Sequence, residues 1–540
     1  MSQAASLDAG SGGIHPSRLF NGSCMALVAG AAMFAVIGDV MLALKQEFAL
    51  TNAQVGILVG WSGWGFPLAM FVLGGFVDAL GMRRLIVFAL LCHTAGVALV
   101  VTATGFWMIF VGLFLHGLGS GAIEAVCNPL IATIYPDAKT HKLNQFHTWF
   151  PGGIVLGGLA CYALTKFGAG YWQLKIGLVM LPTILYAVML VPLRYPATER
   201  VQSGVSFGGM IRETLLRPLF LVLLVCMMLT ASLELGPGRW IPSVLTAGNI
   251  PGILVLVWIT GLMAVLRMFA GPVVKVTTDT GLLLVSAVVA GVGLLMLSYA
   301  TSIWMAGVAA TVFALGVCYF WPTMLGVVAE RVPKGGAFAL GVIGGVGGLF
   351  VGFVATPAMG WIADVYLHRE LVETVTIDGR TVDRAAETRR IVAEVEQTYA
   401  AWANSLGEGH LERVTAANAR EAVATARQVL DAAGTAGPLP RGDTATALRL
   451  ALGAGPTRQA KDAASDAERA AIQSKARAAA ILLPADNAGG LMSFRYLAPL
   501  SIMLVVIFGV MFIRDRRRKA GARQTQDPPE PSADEHLEPQ

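Results

Sequence analysis

Apolar residues in this chain come in long unbroken runs rather than in the short stripes of soluble domains. A lipid hydrocarbon core about 30 Å thick takes about twenty apolar residues of helix, each rising about 1.5 Å. Runs of that kind fall at roughly 22–44, 54–74, 84–104, 107–134, 147–167 and 172–193. After a polar connection they resume at roughly 218–245, 251–273, 280–300, 303–329, 336–363 and 495–513. Backbone polar groups in lipid must be satisfied within their own segment, so each run predicts a spanning α-helix. The layout predicts an all-α membrane protein of about twelve transmembrane helices in two six-helix halves. The halves share a layout but no detailed sequence repeat.

Polar stretches divide the chain further. Residues 1–21 form an N-terminal segment, 22–193 a first bundle, 194–217 a central loop and 218–365 spans seven to eleven. Residues 366–493 interrupt the apolar pattern with a polar, Ala-rich insert of near-balanced charge, before span twelve at 494–513 and a tail at 514–540. In the insert Val392, Val395, Tyr399, Trp402 and Leu406 step by three and four, one apolar stripe on a helix. The stretches Leu411–Leu430 and Gln459–Leu483 also read as helical, with a Pro/Gly break at Gly434–Gly442. The insert therefore predicts a small helical subdomain, marginal for lack of bulky apolar residues. The last twenty residues, rich in Pro, Glu, Asp and Gln, read as disordered.

Composition sharpens the class. Charged residues make up 14% of the 540 and apolar ones 55%, where soluble domains carry nearer a quarter charged. The net charge of +5 does not signal nucleic acid, because the basic residues sit at the ends of apolar runs and in the tail. Placing the N-terminus inside puts Arg83, Arg84, Lys139, Lys142, Arg194, Arg200, Arg212, Lys275, Arg331 and Lys334 in inner loops, with Arg514, Arg516, Arg517, Arg518 and Lys519 in the tail. The outer loops then hold little beyond Lys45 and Lys166, so both termini are expected in the cytoplasm of an inner-membrane protein, and the insert outside. All six Cys lie in apolar runs without disulfide or metal spacing. No phosphate loop, nucleophile–base pair or metal cluster stands out, so neither an enzyme, a cofactor nor ATP-driven transport is expected. The expected partners are a small solute, protons and the bilayer, with the chain a monomer.

The connection after span two reads Gly74-Gly75-Phe76-Val77-Asp78-Ala79-Leu80-Gly81-Met82-Arg83-Arg84. It resembles the loop signature of the major facilitator superfamily, Gly-x-x-x-Asp-Arg-x-Gly-Arg-Arg. Gly74, Asp78, Gly81, Arg83 and Arg84 match, while Ala79 and Met82 depart. The resemblance implies the major facilitator fold and a gating role for these five residues. A finer match runs through Glu124-Ala125-Val126-Cys127-Asn128-Pro129, then Leu143-Asn144-Gln145-Phe146-His147, then Gly152-Gly153. This is similar to the fucose–galactose–glucose:proton symporter branch. Asp39 ahead of Phe48-Ala49-Leu50-Thr51-Asn52 adds to it, with spacing one residue shorter than the branch pattern. The insert matches neither pattern.

Ionisable side chains inside spans are costly and mark cavities or partners. They are Asp39, His93, His116, Glu124, Glu234, Arg239 and Arg267. Glu124 has Asn128 four residues on, on the same face. Burial favours the neutral acid, so Glu124 is expected to couple protons, with Asp39 sharing the task. The competing reading is a structural ion pair of Glu124 with Arg239 or Arg267. Glu234 and Arg239 flank Gly236-Pro237-Gly238, which predicts a broken seventh helix with freed carbonyls where a polar solute binds. The expected solute-binding set is Asn128, Glu234, Arg239, Asn144, His147 and Trp240. Arg267 reads as a gate or anchor at the inner end, and His93 and His116 as packing residues. The stripe Gly344, Gly348, Gly352 reads as a close-packing helix face. These features predict a secondary active transporter taking up a sugar or similar small polar solute with protons by alternating access. Proton-driven efflux of a drug or metabolite is the alternative. A solute-sensing or partner-binding role for the insert is a third reading of another class.

Overall fold

The computed structural model describes residues 13–48, 58, 64–168, 171–202, 204–377, 380–407, 409–456 and 463–524. The Ala49–Asn52 patch, most of the first half of span two and the tail beyond 524 lie outside the described residues.

The first half contains α1 (Pro16–Glu47), α2 (Gly65–Leu80), α3 (Met82–Val101), α4 (Phe106–Ile134), α5 (Lys139–His147), α6 (Trp149–Lys166), α7 (Trp172–Gly177) and α8 (Met180–Leu190). Two short helices, α9 (Glu199–Gln202) and α10 (Phe207–Leu215), occupy the stretch expected to be a loop. The second half contains α11 (Pro218–Ala247), α12 (Gly252–Met268), α13 (Ala270–Thr277), α14 (Asp279–Leu297), α15 (Ile303–Val317), α16 (Phe320–Arg331), α17 (Gly336–Phe350) and α18 (Thr356–Val372). Among the described residues ten helical stretches are long and apolar enough to span a bilayer, and α12–α13, bent by 68°, makes an eleventh. The shorter apolar α2 falls at span two. Phe34, Leu91, Leu159, Leu181, Val188, Leu254, Val292, Val308 and Val506 are exposed on these helices, a surface that suits lipid rather than water.

Helix α11 corrects one expectation. It runs unbroken through Gly236-Pro237-Gly238, with Pro237 and Pro242 both inside. Each proline removes one N–H donor, but packed neighbours hold the helical path, as membrane helices commonly allow. Span eleven instead carries the irregularity, a π-turn at Val351–Ala355 between α17 and α18.

The halves meet through small residues. A Cβ on Gly74 would stand 2.6 Å from the Cα of Gly341 and 3.2 Å from the Ala337 carbonyl, so α2 and α17 touch backbone to backbone. Gly345 against Phe71, Gly348 against Pro67, and the Trp64 and Phe353 rings with centroids 4.2 Å apart continue this seam.

The insert comprises a short hairpin (β1 Val375–Ile377, β2 Arg380–Val382), then α19 (Arg384–Ser405), α20 (His410–Ala433), α21 (Asp443–Ala454) and α22 (Asp466–Leu497), followed by α23 (Leu500–Gln524). Val392, Val395, Tyr399 and Trp402 are buried and Leu406 partly buried in its core, against Ala419, Ala422, Ala426 and Val429. Alanine supplies what the bulky residues do not, since it lets helices approach closely and loses no side-chain entropy on burial. Leu367, Leu371 and Leu482 belong to the same core, so α18 and α22 run from the spans into the insert without a break. Arg449 of α21 bridges Asp364 and Asp486 on those two helices, at 3.5 and 2.5 Å.

Candidate transport site

Close helix packing creates the site. Gly121 leaves no room for a Cβ between α4 and the Phe66 carbonyl of α2, which draws α4 deep into the first half. Glu124 is 2% exposed as a result. One turn on, Asn128 donates from Nδ2 to Glu124 Oε2 at 3.4 Å. Its Oδ1 lies 3.0 Å from His147 Nε2 at the end of α5. Among the described residues no cation forms an ion pair with Glu124.

Arg267 ties this chain of groups to the second half. Its Nη1 donates to the His147 carbonyl at 3.0 Å and its Nε to the Cys318 carbonyl at 2.5 Å. Its Nη2 pairs with Glu234 Oε1 at 2.7 Å, both side chains being almost fully buried. The other Glu234 oxygen accepts from the Trp321 backbone N–H at 3.2 Å. One guanidinium therefore joins α5, α11 and the α15–α16 junction, with each of its three nitrogens donating a hydrogen bond. Asn144 donates to the Thr140 carbonyl at 2.9 Å and to Thr323 Oγ1 of α16 at 3.2 Å. Its Oδ1 is buried without a donor among the described residues.

The structure thus gathers Glu124, Asn128, Asn144, His147 and Glu234. It does not gather Arg239, which is exposed and has no ion pair or hydrogen bond among the described residues. It lies five positions on from Glu234, which turns it to a different face of α11. Trp240 packs over Gly360 of α18, where a Cβ would stand 3.5 Å from its ring. Asp39 is set apart as well, paired at 2.5 Å with Lys175 of α7. Arg267, expected as a gate or anchor at the inner end, is the hub of the buried cluster, one residue before α12 ends in the sharp bend to α13. It takes Glu234 as partner, and Glu124 is left without an ion pair. Lys175 went unnoticed as a buried charge because it lies three residues into its span, where a snorkelling lysine is ordinary. An acid inside an apolar run, Asp39, with no cation evident at its depth was the available signal for such a partner.

At the end of the bundle that carries the Arg-rich loops, the halves are in contact. Lys139 Nζ donates to the Ala329 carbonyl at 3.3 Å and Thr140 Oγ1 to Glu330 Oε1 at 2.9 Å. In the loop signature, Asp78 accepts from Thr198 Oγ1 at 2.5 Å and Gly81 turns the chain at φ +83°. Arg83 and Arg84 are exposed, and Gly74 lies within α2 at the Gly341 crossing. His93 lies 3.1 Å from both Tyr186 and Ser120 and stacks on His116.

A bundle of apolar spans in two halves, sealed around a buried ionic cluster, has the build of a multi-pass membrane transporter. Residues 22–357 match the Major Facilitator Superfamily, and the chain belongs to that family. The insert lies beyond the matched region. A hexose transporter of Saccharomyces cerevisiae is 28% identical over 151 residues, covering 27% of each chain. A D-xylose transporter of Levilactobacillus brevis is 24% identical over 172 residues, 31% of this chain and 37% of the relative. The class E tetracycline resistance protein of Escherichia coli is 29% identical over 126 residues, 23% of this chain and 31% of the relative. These matches span about a quarter to a third of the curated relatives' own lengths. The E. coli fucose:proton symporter superposes with a TM-score of 0.54 at 15% identity, covering 64% of this chain and 92% of that one. A proton:xylose symporter does so at 0.54 and 12%, covering 66% and 90%.

Proposed function

We propose that this transporter carries a sugar or similar small polar solute together with protons, by alternating access, with Glu124 as the proton-binding group. The observation that carries the reading is the unequal state of the two buried glutamates. Glu234 is held by a buried cation, whereas Glu124 meets the neutral Asn128. A buried carboxyl with no ion-pair partner is the one that gains and loses a proton as its surroundings change. The path Glu124–Asn128–His147–Arg267–Glu234 crosses from one half to the other, so a change of charge at Glu124 acts on the contact between them. The open acceptor of Asn144 suits a hydroxyl donor, and Asn128, His147 and Glu234 supply further polar groups for a polyol. Arg239 and Trp240, off this cluster, serve the entry path from α11. The Asp39–Lys175 pair is a second charged contact whose exchange accompanies the cycle. Gly74, Asp78, Gly81, Arg83 and Arg84 form the inner gate with Thr198 and Gly341.

The distribution of Lys and Arg supports an inner-membrane protein with both termini cytoplasmic and the insert outside, acting as a monomer. The contacts of Lys139 and Thr140 then close the cytoplasmic end. The partial likeness to a tetracycline resistance protein favours proton-driven efflux as a second reading. Proteoliposomes separate the two. A panel of sugars, polyols and tetracyclines, assayed with and without an imposed pH gradient, should show a sugar or polyol accumulating with the proton flow. Tetracycline movement against the proton flow, with no sugar uptake, would establish the second reading instead.

A further inference from the structure

The end of the second half that carries the Arg-rich loops has a surface cavity of about 820 Å³. Its walls are the end of α10, the start of α11 and the α16–α17 turn, which bring Arg212, Arg217, Arg331 and Lys334 around one space with Glu213 and Glu330. The carboxylates are already engaged. Glu213 pairs with Arg217 at 3.4 Å, and Glu330 accepts from Thr140 of the other half at 2.9 Å. Arg331 is taken by Asp515 of α23 at 2.5 Å. Arg212 and Lys334 have no ion pair or hydrogen bond among the described residues, and both are exposed. Four cations against three engaged acids, Glu213, Glu330 and Asp515, leave Arg212 and Lys334 as two free donors at the cavity, the arrangement that takes a phosphate.

The rim identifies the source of that phosphate. Leu216, which lines the cavity, is 72% exposed, and Leu215 and Phe207 of α10 are 41% and 48% exposed. A short helix with bare apolar residues beside a basic cavity, at the foot of a spanning helix, is built to lie in the interface with acyl chains along its apolar side. A soluble phosphate has no use for these residues. We propose that this cavity binds the phosphate headgroup of an anionic phospholipid, with Arg212 and Lys334 as its principal donors and Leu215 and Leu216 as the acyl contact. A bound lipid would pin α10, and so the link between the halves, to the α16–α17 turn.

The test uses the full chain, purified in a neutral detergent. Short-chain phosphatidylglycerol, phosphatidylcholine and inorganic phosphate are titrated separately, and the thermal unfolding midpoint is recorded. Phosphatidylglycerol should raise the midpoint saturably and phosphatidylcholine should not. In the double variant Arg212→Gln/Lys334→Gln the apparent affinity should fall about tenfold or more, the loss expected of two charge-assisted hydrogen bonds. The tail variant Arg516→Gln/Arg517→Gln, outside the cavity, should bind as the parent does. Equal phosphatidylglycerol affinity in parent and double variant would overturn the site. Saturation by inorganic phosphate at the same concentration would overturn the lipid assignment. If the double variant does not fold, Lys334→Gln alone, at an exposed turn position, answers the same question. None of these outcomes depends on which solute is carried.

Discussion

Two glutamates in apolar helices look alike in the sequence, and only their neighbours distinguish them. Glu124 was legible because Asn128 follows one turn later in a recognisable patch. The pairing of Glu234 was not, because its cation stands 33 residues away on another helix, nearer the helix end than the flanking Arg239. Arg267→Met should leave Glu234 buried without compensation, a cost of about 3–5 kcal/mol. A purified Arg267→Met protein should therefore lose thermal stability clearly. The double variant Arg267→Met/Glu234→Leu should recover most of it, because the pair is replaced by apolar volume, while transport stays absent. Stability unchanged in the single variant would show that the ion pair is not as buried as the structure places it. Asn144→Leu tests the open acceptor, since it removes Oδ1 at nearly the same volume, together with both donated hydrogen bonds. It should weaken solute affinity about tenfold or more while proton binding at Glu124 persists.

The spans themselves were the most legible elements, because a run of twenty apolar residues suits little besides a helix in lipid. Their interruptions were not. The Gly236-Pro237-Gly238 triplet promised a break and α11 passes through it, whereas the chain does bend after Met268, just ahead of Gly271-Pro272, and makes its π-turn around Gly352, just ahead of Pro357. Local breakers show where a helix can break, and packing decides where it does. The glycine stripe of span eleven was visible. Its partner α2 was not, since no pattern in one helix names the helix it touches. Gly74 is the sharpest point of that contact. Gly74→Val would press Cβ into the backbone of Gly341, which no rotamer relieves, at a cost of about 1–3 kcal/mol. The closed inner contact should then lose population by about fivefold or more. Disulfide formation between Thr140→Cys and Glu330→Cys, whose native side chains lie 2.9 Å apart, reads that population. Crosslinking that is as fast with Gly74→Val as without it would contradict a closing role for this crossing.

At the scale of the whole molecule, the two halves were legible from layout and the insert from its loss of apolar runs. Its junctions were blurred, because α18 and α22 run on from the apolar bundle as continuous helices and place Leu367, Leu371 and Leu482 in the insert's core. Deletion should respect those helices. Replacing 374–465 by a short flexible linker removes the hairpin and α19–α21 and keeps α18 and α22 paired, at a modest loop-closure cost. The shortened protein should insert and purify as a monodisperse species. Failure with every linker length would make the insert part of the folding unit. All six native cysteines are buried, so introduced thiols report topology cleanly. A membrane-impermeant reagent should label Ser405→Cys in intact cells and leave Ser206→Cys untouched. The reverse pattern would invert the orientation. Coupling is the property that belongs to the molecule as a whole, because the proton exchange proposed for Glu124 has to accompany a change in the contact between halves. Glu124→Gln keeps the side chain's size and fixes it neutral. Once a solute is found, reconstituted Glu124→Gln should exchange it across the membrane at equal concentrations but should not accumulate it under an imposed pH gradient. Accumulation equal to that of the parent protein would contradict the assignment of the proton to Glu124.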